Sequence, residues 1–145
     1  MIIRIALAAV VAAFAATAVV AQGDPIAARK GLMKGVGSAN GAITQMLDGK
    51  QPFDVTKAKA ALMTISDHAG KIGPHFVAGS HAGDTAALPA IWENRADFDA
   101  KMAKLSADAK AAADKVTDLD SLKAGIGTVR QNCGGCHNPY RKKAS

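Results

Sequence analysis

The sequence predicts an all-α chain built as an antiparallel up-and-down four-helix bundle. Two observations carry that prediction. Alanine, the best helix former, is abundant, while aromatic residues make up only 4% of the chain. Four separate segments also repeat their apolar residues at steps of three and four, as helices with one buried stripe require. At 145 residues the chain is of single-domain length. A three-helix bundle with a mobile first helix is the alternative architecture.

The opening residues read as an address rather than as fold. Met1-Ile2-Ile3-Arg4 is a short positive start, and Ile5 to Ala21 is apolar and rich in small residues. Polar Gln22-Gly23-Asp24 follows, with Val19-Val20-Ala21 as an acceptable cleavage site. Residues 1–21 are therefore expected to be a signal peptide and residues 22–145 the exported domain. An uncleaved anchor is the competing reading, but the stretch is short for a span of roughly 20 residues. Cleavage removes only one basic residue, Arg4, so the mature domain stays cationic; the whole chain carries a formal charge of +6.

The first helix opens at Asp24-Pro25, a capping side chain followed by proline at the first helical position. Ile26, Arg29, Met33, Val36, Asn40, Ile43 and Leu47 form its stripe, and Asp48-Gly49 stops it. The second begins at Asp54, with Val55, Ala58, Leu62, Ile65, Ala69 and Ile72 as an unbroken seam, and ends at Gly73-Pro74. Residues 73–88 read as a long loop with four breakers, Gly73, Pro74, Gly79 and Gly83. A loop of that length is usually functional or spans the end of a bundle. The third helix starts near Pro89 and carries Ile91, Arg95, Phe98, Met102, Leu105, Ala109, Ala112 and Val116. The fourth follows Asp118 with Leu119, Leu122, Ile126, Val129, Cys133, Cys136 and Tyr140. Each helix alone is marginal in water, so burying the four stripes together supplies most of the stability.

The chemistry lies in the fourth helix. Cys133-Gly134-Gly135-Cys136-His137 is C-x-x-C-H, the attachment signal of c-type haem. Residues three and four apart share a helix face, so both thiols and the imidazole emerge on one side. The thiols can add across the two vinyl groups of one haem, with His137 beside the iron. Gly134 and Gly135 put no side chain in the way, although each costs a helix about 1 kcal/mol relative to alanine. Three other readings of the cysteines compete. A disulfide would close a very small loop inside a helix, where the geometry suits it poorly. A thioredoxin-like pair needs a βαβ context that is missing. A zinc site needs about four ligands, and His68, His75 and His81 are not spaced as a partner cluster; they read as surface or loop histidines.

With this motif on the last predicted helix, the chain resembles the class II c-type cytochromes, the cytochrome c′ superfamily with its low-spin c-556 branch. The likeness runs through the mature chain: Arg29-Lys30-Gly31-Leu32-Met33-Lys34, Leu88-Pro89-Ala90-Ile91-Trp92, and Cys133 to Arg141. It implies one covalently attached haem c near the end of the bundle and places Met33 on the distal side. In the low-spin branch that residue is a methionine bound to iron; in the gas-binding branch a non-ligating residue stands there. It further implies that Arg29 pairs with a haem propionate and that Arg141 helps hold the haem edge.

Height along the helices agrees with Met33 without singling it out. His137 lies roughly 9 Å from the end of the last helix and Met33 roughly 12 Å from the start of the first. Met46 falls toward the wrong end, while Met63 and Met102 are not excluded by height. Trp92 and Phe98 read as core or haem-packing residues, and Lys142-Lys143 as a solvated end.

The expected function is periplasmic single-electron transfer through His/Met-ligated iron, with five-coordinate gas binding as the alternative. No acid–base constellation points to an enzyme. The positive charge points to acidic redox partners and salt-sensitive encounter. No nucleic-acid motif is present and no second apolar run could span a membrane; a homodimer is compatible with the sequence.

Overall fold

The computed structural model describes residues 23–143. The signal-peptide reading of residues 1–21 lies outside them. Four long helices and one short one follow in order: α1 Pro25–Leu47, α2 Val55–Ile72, α3 Ala90–Glu93, α4 Arg95–Lys115 and α5 Leu119–Tyr140. A 3-10 turn, Gly73–His75, extends the end of α2.

The starts of three long helices are written in aspartates. The Asp24 carboxylate accepts from the Ile26 amide at 2.8 Å, with Pro25 at the first position. Asp54 accepts from the Lys57 amide at 3.0 Å. Asp118 accepts from the Ser121 amide at 2.8 Å while the Ser121 hydroxyl accepts from the Asp118 amide, a reciprocal capping box. Each cap supplies acceptors for amides that have no partner inside the helix and stabilises it by about 1 kcal/mol. Gly49, at φ 69°, turns the chain out of α1.

The predicted stripes close on one core. Ile43, Ala58, Leu62, Ile65, Ile72, Ile91, Phe98, Leu105, Leu122, Ile126 and Val129 are nearly or fully buried. Because Val36, Ala39, Ile43 and Met46 of α1 belong to that core, the fold is a four-helix bundle and not the three-helix alternative. Two apolar residues of the predicted seams are exposed, Val55 at 38% and Leu119 at 40%. Each is the first residue of its helix, and helical side chains lean toward the N-terminus, beyond the packed layer.

The four contact faces differ. α2 and α4 pack along their length and are joined by serines: the Ser106 hydroxyl donates to the Ser66 carbonyl at 2.9 Å. α4 and α5 approach so closely that a methyl on Gly125 would stand 2.8 Å from the Ala112 Cβ. α1 packs well on α2 but touches α5 sparsely. The α1–α5 face is bridged by one long side chain, Arg130, which donates to Asn40 Oδ1 at 2.9 Å and to Thr44 Oγ1 at 2.6 Å.

The third helix differs from its expected single span. Asn94, at φ −122° and ψ 47°, interrupts it after Glu93. The reason lies in the loop. Arg95 donates to the Phe76 carbonyl at 2.8 Å and to the Gly73 carbonyl at 3.0 Å, tying the start of α4 to the end of α2. The Asn94 side chain satisfies the Ala90 carbonyl at 3.3 Å across the break. The long loop is thus anchored at one end of the bundle, where α5 also finishes. No described helix is long and apolar enough to cross a membrane.

Candidate haem site

The last two turns of α5 carry the motif. Cys136 is buried, and Cys133 and His137 are half-buried; no disulfide joins the two cysteines. Cys133 Sγ donates to the Val129 carbonyl at 3.5 Å. Burial pushes the Cys136 thiol up to about 11 and the Cys133 thiol in the same direction, so both stay protonated at neutral pH. Burial, with Arg141 nearby, lowers His137, keeping its imidazole neutral and its lone pair available. Gly134 and Gly135 are exposed, and a Cβ added to either meets nothing within 4 Å. Pro139 stands inside the final turn and cannot donate to the Gly135 carbonyl.

That turn is held from three sides. The Tyr140 hydroxyl donates to Asp97 Oδ2 of α4 at 2.5 Å, and its ring meets Phe98 edge-on at 5.5 Å. The bond holds the Asp97 carboxyl below its ordinary range and pushes Tyr140 up to about 12. After α5 the chain pairs with the long loop: the Leu88 amide donates to the Tyr140 carbonyl at 3.0 Å and the Lys142 amide to the Ala86 carbonyl at 2.8 Å. Arg141 forms the antiparallel bridge with Ala87. The expected solvated tail is therefore ordered up to this pairing, with Arg141, Lys142 and Lys143 exposed.

Met33 is half-buried on α1 and packs against the core, as Leu32 does. Its height follows from the Arg130 bridge. Arg130 is level with Asn40 and Thr44, and the helices run antiparallel. Seven residues onward along α5 is His137; seven residues back along α1 spans Met33 to Gly37. Met33 and His137 therefore stand within about one turn of the same level, on two helices that touch each other sparsely.

Arg29, one turn before Met33, is 3% exposed. Its guanidinium donates to Ser80 Oγ at 2.8 Å, the Ser80 carbonyl at 2.6 Å, Thr85 Oγ1 at 3.0 Å and the His75 carbonyl at 3.2 Å. It also lies 4.7 Å from the centre of the Phe76 ring. Every one of these acceptors is neutral. Burial lowers its pKa, partly countered by Asp24, and a buried cation without a bonded carboxylate invites an anion. Trp92 is half-buried, with Nε1 donating to the Val77 carbonyl at 3.0 Å, and Phe98 is core.

His68 departs from the expectation of a surface or loop position. It sits on α2 facing α1, with Nδ1 3.1 Å from the Leu32 carbonyl. Other supports were equally silent in sequence. Ser80, Thr85, Asp97 and Asn40 each meet their partner from more than 40 residues away, and no local pattern marks such pairs.

The donor set suits a macrocycle. Among the described residues no three His, Cys, Asp or Glu side chains converge as a bare-metal site. Two thiols, an imidazole, an unobstructed glycine face, a thioether at matching height and a buried cation without an anion fit a haem joined through both sulfurs. A groove lined by Ser66, Gly70, Asp99 and Ser106 runs along α2 and α4 and contains none of these groups.

Comparison with known proteins agrees. Residues 24–141 match the family model described as Cytochrome C′. Cytochrome c′ of Rhodopseudomonas palustris is 46% identical over 127 residues, 87% of each chain. Cytochrome c-556 of Agrobacterium fabrum is 43% identical over 129 residues, 88% of this chain and 87% of that one. The solved structure of the R. palustris cytochrome c′ superposes with a TM-score of 0.82 at 46% identity, covering 86% of this chain and all of that one. The chain belongs to the cytochrome c′ family, whose members are electron-transfer or gas-binding haem proteins, and its cofactor is covalently attached haem c with iron.

Proposed function

We propose that this member of the cytochrome c′ family is a periplasmic single-electron carrier in which His137 and Met33 would ligate the iron. Cys133 and Cys136 would hold the haem by thioether bonds. The observation that supports the assignment of Met33 is its level: the Arg130 bridge sets it within about one turn of His137 across the sparsely packed face.

Bound haem supplies a one-electron ferric/ferrous couple. The chain's residues tune it. His137 offers a neutral imidazole, and Met33 offers a soft, uncharged sulfur that favours the ferrous state. Two neutral ligands in apolar surroundings disfavour net charge at the metal, which acts in the same direction. Arg29 supplies a buried positive charge for the acidic edge of the macrocycle, and Arg141 an exposed one beside His137. The exposed Arg141, Lys142 and Lys143, held at that end by pairing with the loop, suit an acidic redox partner.

A second reading is a five-coordinate haem protein that binds NO or CO. It is favoured by the names of the relative and the solved structure at 46% identity, both cytochrome c′. Visible spectra of the oxidised and reduced protein, with and without CO, separate the two. The expected result is a low-spin spectrum with slow CO uptake, converted by Met33→Ala to a high-spin ferrous form that takes CO readily. A wild-type ferrous protein that is already high-spin and binds CO at once refutes the electron-carrier reading.

A further inference from the structure

We infer that His68 is a positioning residue that sets the level and rotation of the α1 turn carrying Met33. The inference rests on Met33 as the second iron ligand. The His68 ring leaves α2 and meets α1 on both sides of that residue. On one side Nδ1–H donates to the carbonyl of Leu32, the residue before Met33, at 3.1 Å. A helical carbonyl has a second lone pair free for this bond. On the other side the ring occupies the place of a side chain at Gly35. A Cβ built there would overlap Cε1 and Nδ1 of His68.

Gly35 therefore has a local purpose. A glycine inside an exposed helix is normally a loss relative to alanine. Gly31, one turn earlier, has nothing within 4 Å of an added Cβ, so α1 is not crowded in general; the notch at Gly35 fits one imidazole. The bond also selects the tautomer with hydrogen on Nδ1. Leu62, Ile65, Ala69 and Ile72 anchor α2 in the core around His68, so the ring is carried by a rigid helix. It can transmit the position of that helix to the Leu32–Gly35 turn.

The test uses full-length holoprotein exported from a host that attaches haem, with attachment checked by intact mass and folding by far-UV circular dichroism. The readouts are the ferric methionine-to-iron absorption band, the ferrous CO-binding rate and the reduction potential. His68→Leu keeps an apolar side chain but removes the donor. It should raise the methionine-off population and the CO rate roughly fivefold, as expected for losing one net hydrogen bond, and lower the potential. His68→Asn places an amide N–H near the Nδ1 position and should restore both to within about twofold of wild type. Gly35→Ala evicts the ring and should reproduce His68→Leu.

An unchanged band and CO rate in His68→Leu, where Met33→Ala abolishes the band, overturns the positioning role alone. An unchanged band in Met33→Ala overturns the ligand assignment and this inference with it. If His68→Leu does not fold, Gly35→Ala carries the same decision, and wild-type behaviour in it overturns the role.

Discussion

The α2–α4 and α1–α5 faces of the bundle are built to different plans. α2 and α4 pack along their length, with Leu62, Ile65, Phe98 and Leu105 buried and a serine pair bridging the backbones. α1 and α5 touch sparsely and are bridged by Arg130 reaching Asn40 and Thr44, with Met33 and the cysteine motif about two turns beyond that bridge. One seam is completed by protein; the other has its side chains arranged for a covalent cofactor. A bundle that closed all four seams equally would have no place for a haem.

That contrast can be broken at several strengths. The largest effect is expected from Cys133→Ser/Cys136→Ser, which removes both thioether links. Intact mass should show bare polypeptide, and hydrogen exchange should rise in α1 far more than in α2 and α4, because only the α1–α5 face loses its filling. Equal deprotection of all four helices would refute the difference between faces.

On the closed side, Leu62→Ala should cost about 2–5 kcal/mol in urea unfolding, since Leu62 is fully buried. A smaller effect is expected at the α4–α5 approach. Gly125→Ala pushes a methyl against Ala112 and should destabilise by about 1–3 kcal/mol. Gly127→Ala, with open space around it, should stabilise by about 0.5–1 kcal/mol. Similar values for the two glycines would show that their spacing, two residues apart on α5, does not separate a packed face from a free one.

The pH response probes the tie between α4 and the haem turn. Asp97 is held below its ordinary pKa by Tyr140, so its contribution is present above the unfolded value and is lost as pH falls through the folded one. Tyr140 is raised to about 12, so its contribution is complete below its ordinary value near 10 and is lost as pH rises from there toward 12. Tyr140→Phe should therefore flatten the stability profile at both extremes, measured as the urea midpoint against pH. The smallest effect is expected from Arg130→Ala, about 0.5–1 kcal/mol, because the bridge is exposed.

Much of the plan was legible locally. Aspartates 24, 54 and 118 set three helix starts, Gly49 and Gly73-Pro74 set two stops, and the steps of three and four named most of the core. These features act within one or two turns, so a linear reading captures them. The break at Asn94 was not legible, because its cause is Arg95 bonding to carbonyls about 20 residues earlier. His68 was misplaced for the same reason: its partner, Leu32, belongs to another helix. The buried state of Arg29 was equally hidden, since the loop oxygens that receive it lie around residue 80.

What the sequence alone determined is the chemistry and its face: two thiols, two glycines and an imidazole spaced so that any helix must present the sulfurs and the ring together. What only the tertiary structure decided is which groups stand opposite. Helical period places residues around one axis, but the level of Met33 against His137, the seat of His68 at Gly35 and the capture of Arg29 by the loop depend on how separate helices pack. Those levels are set by contacts between residues tens of positions apart, which no period within a single helix encodes.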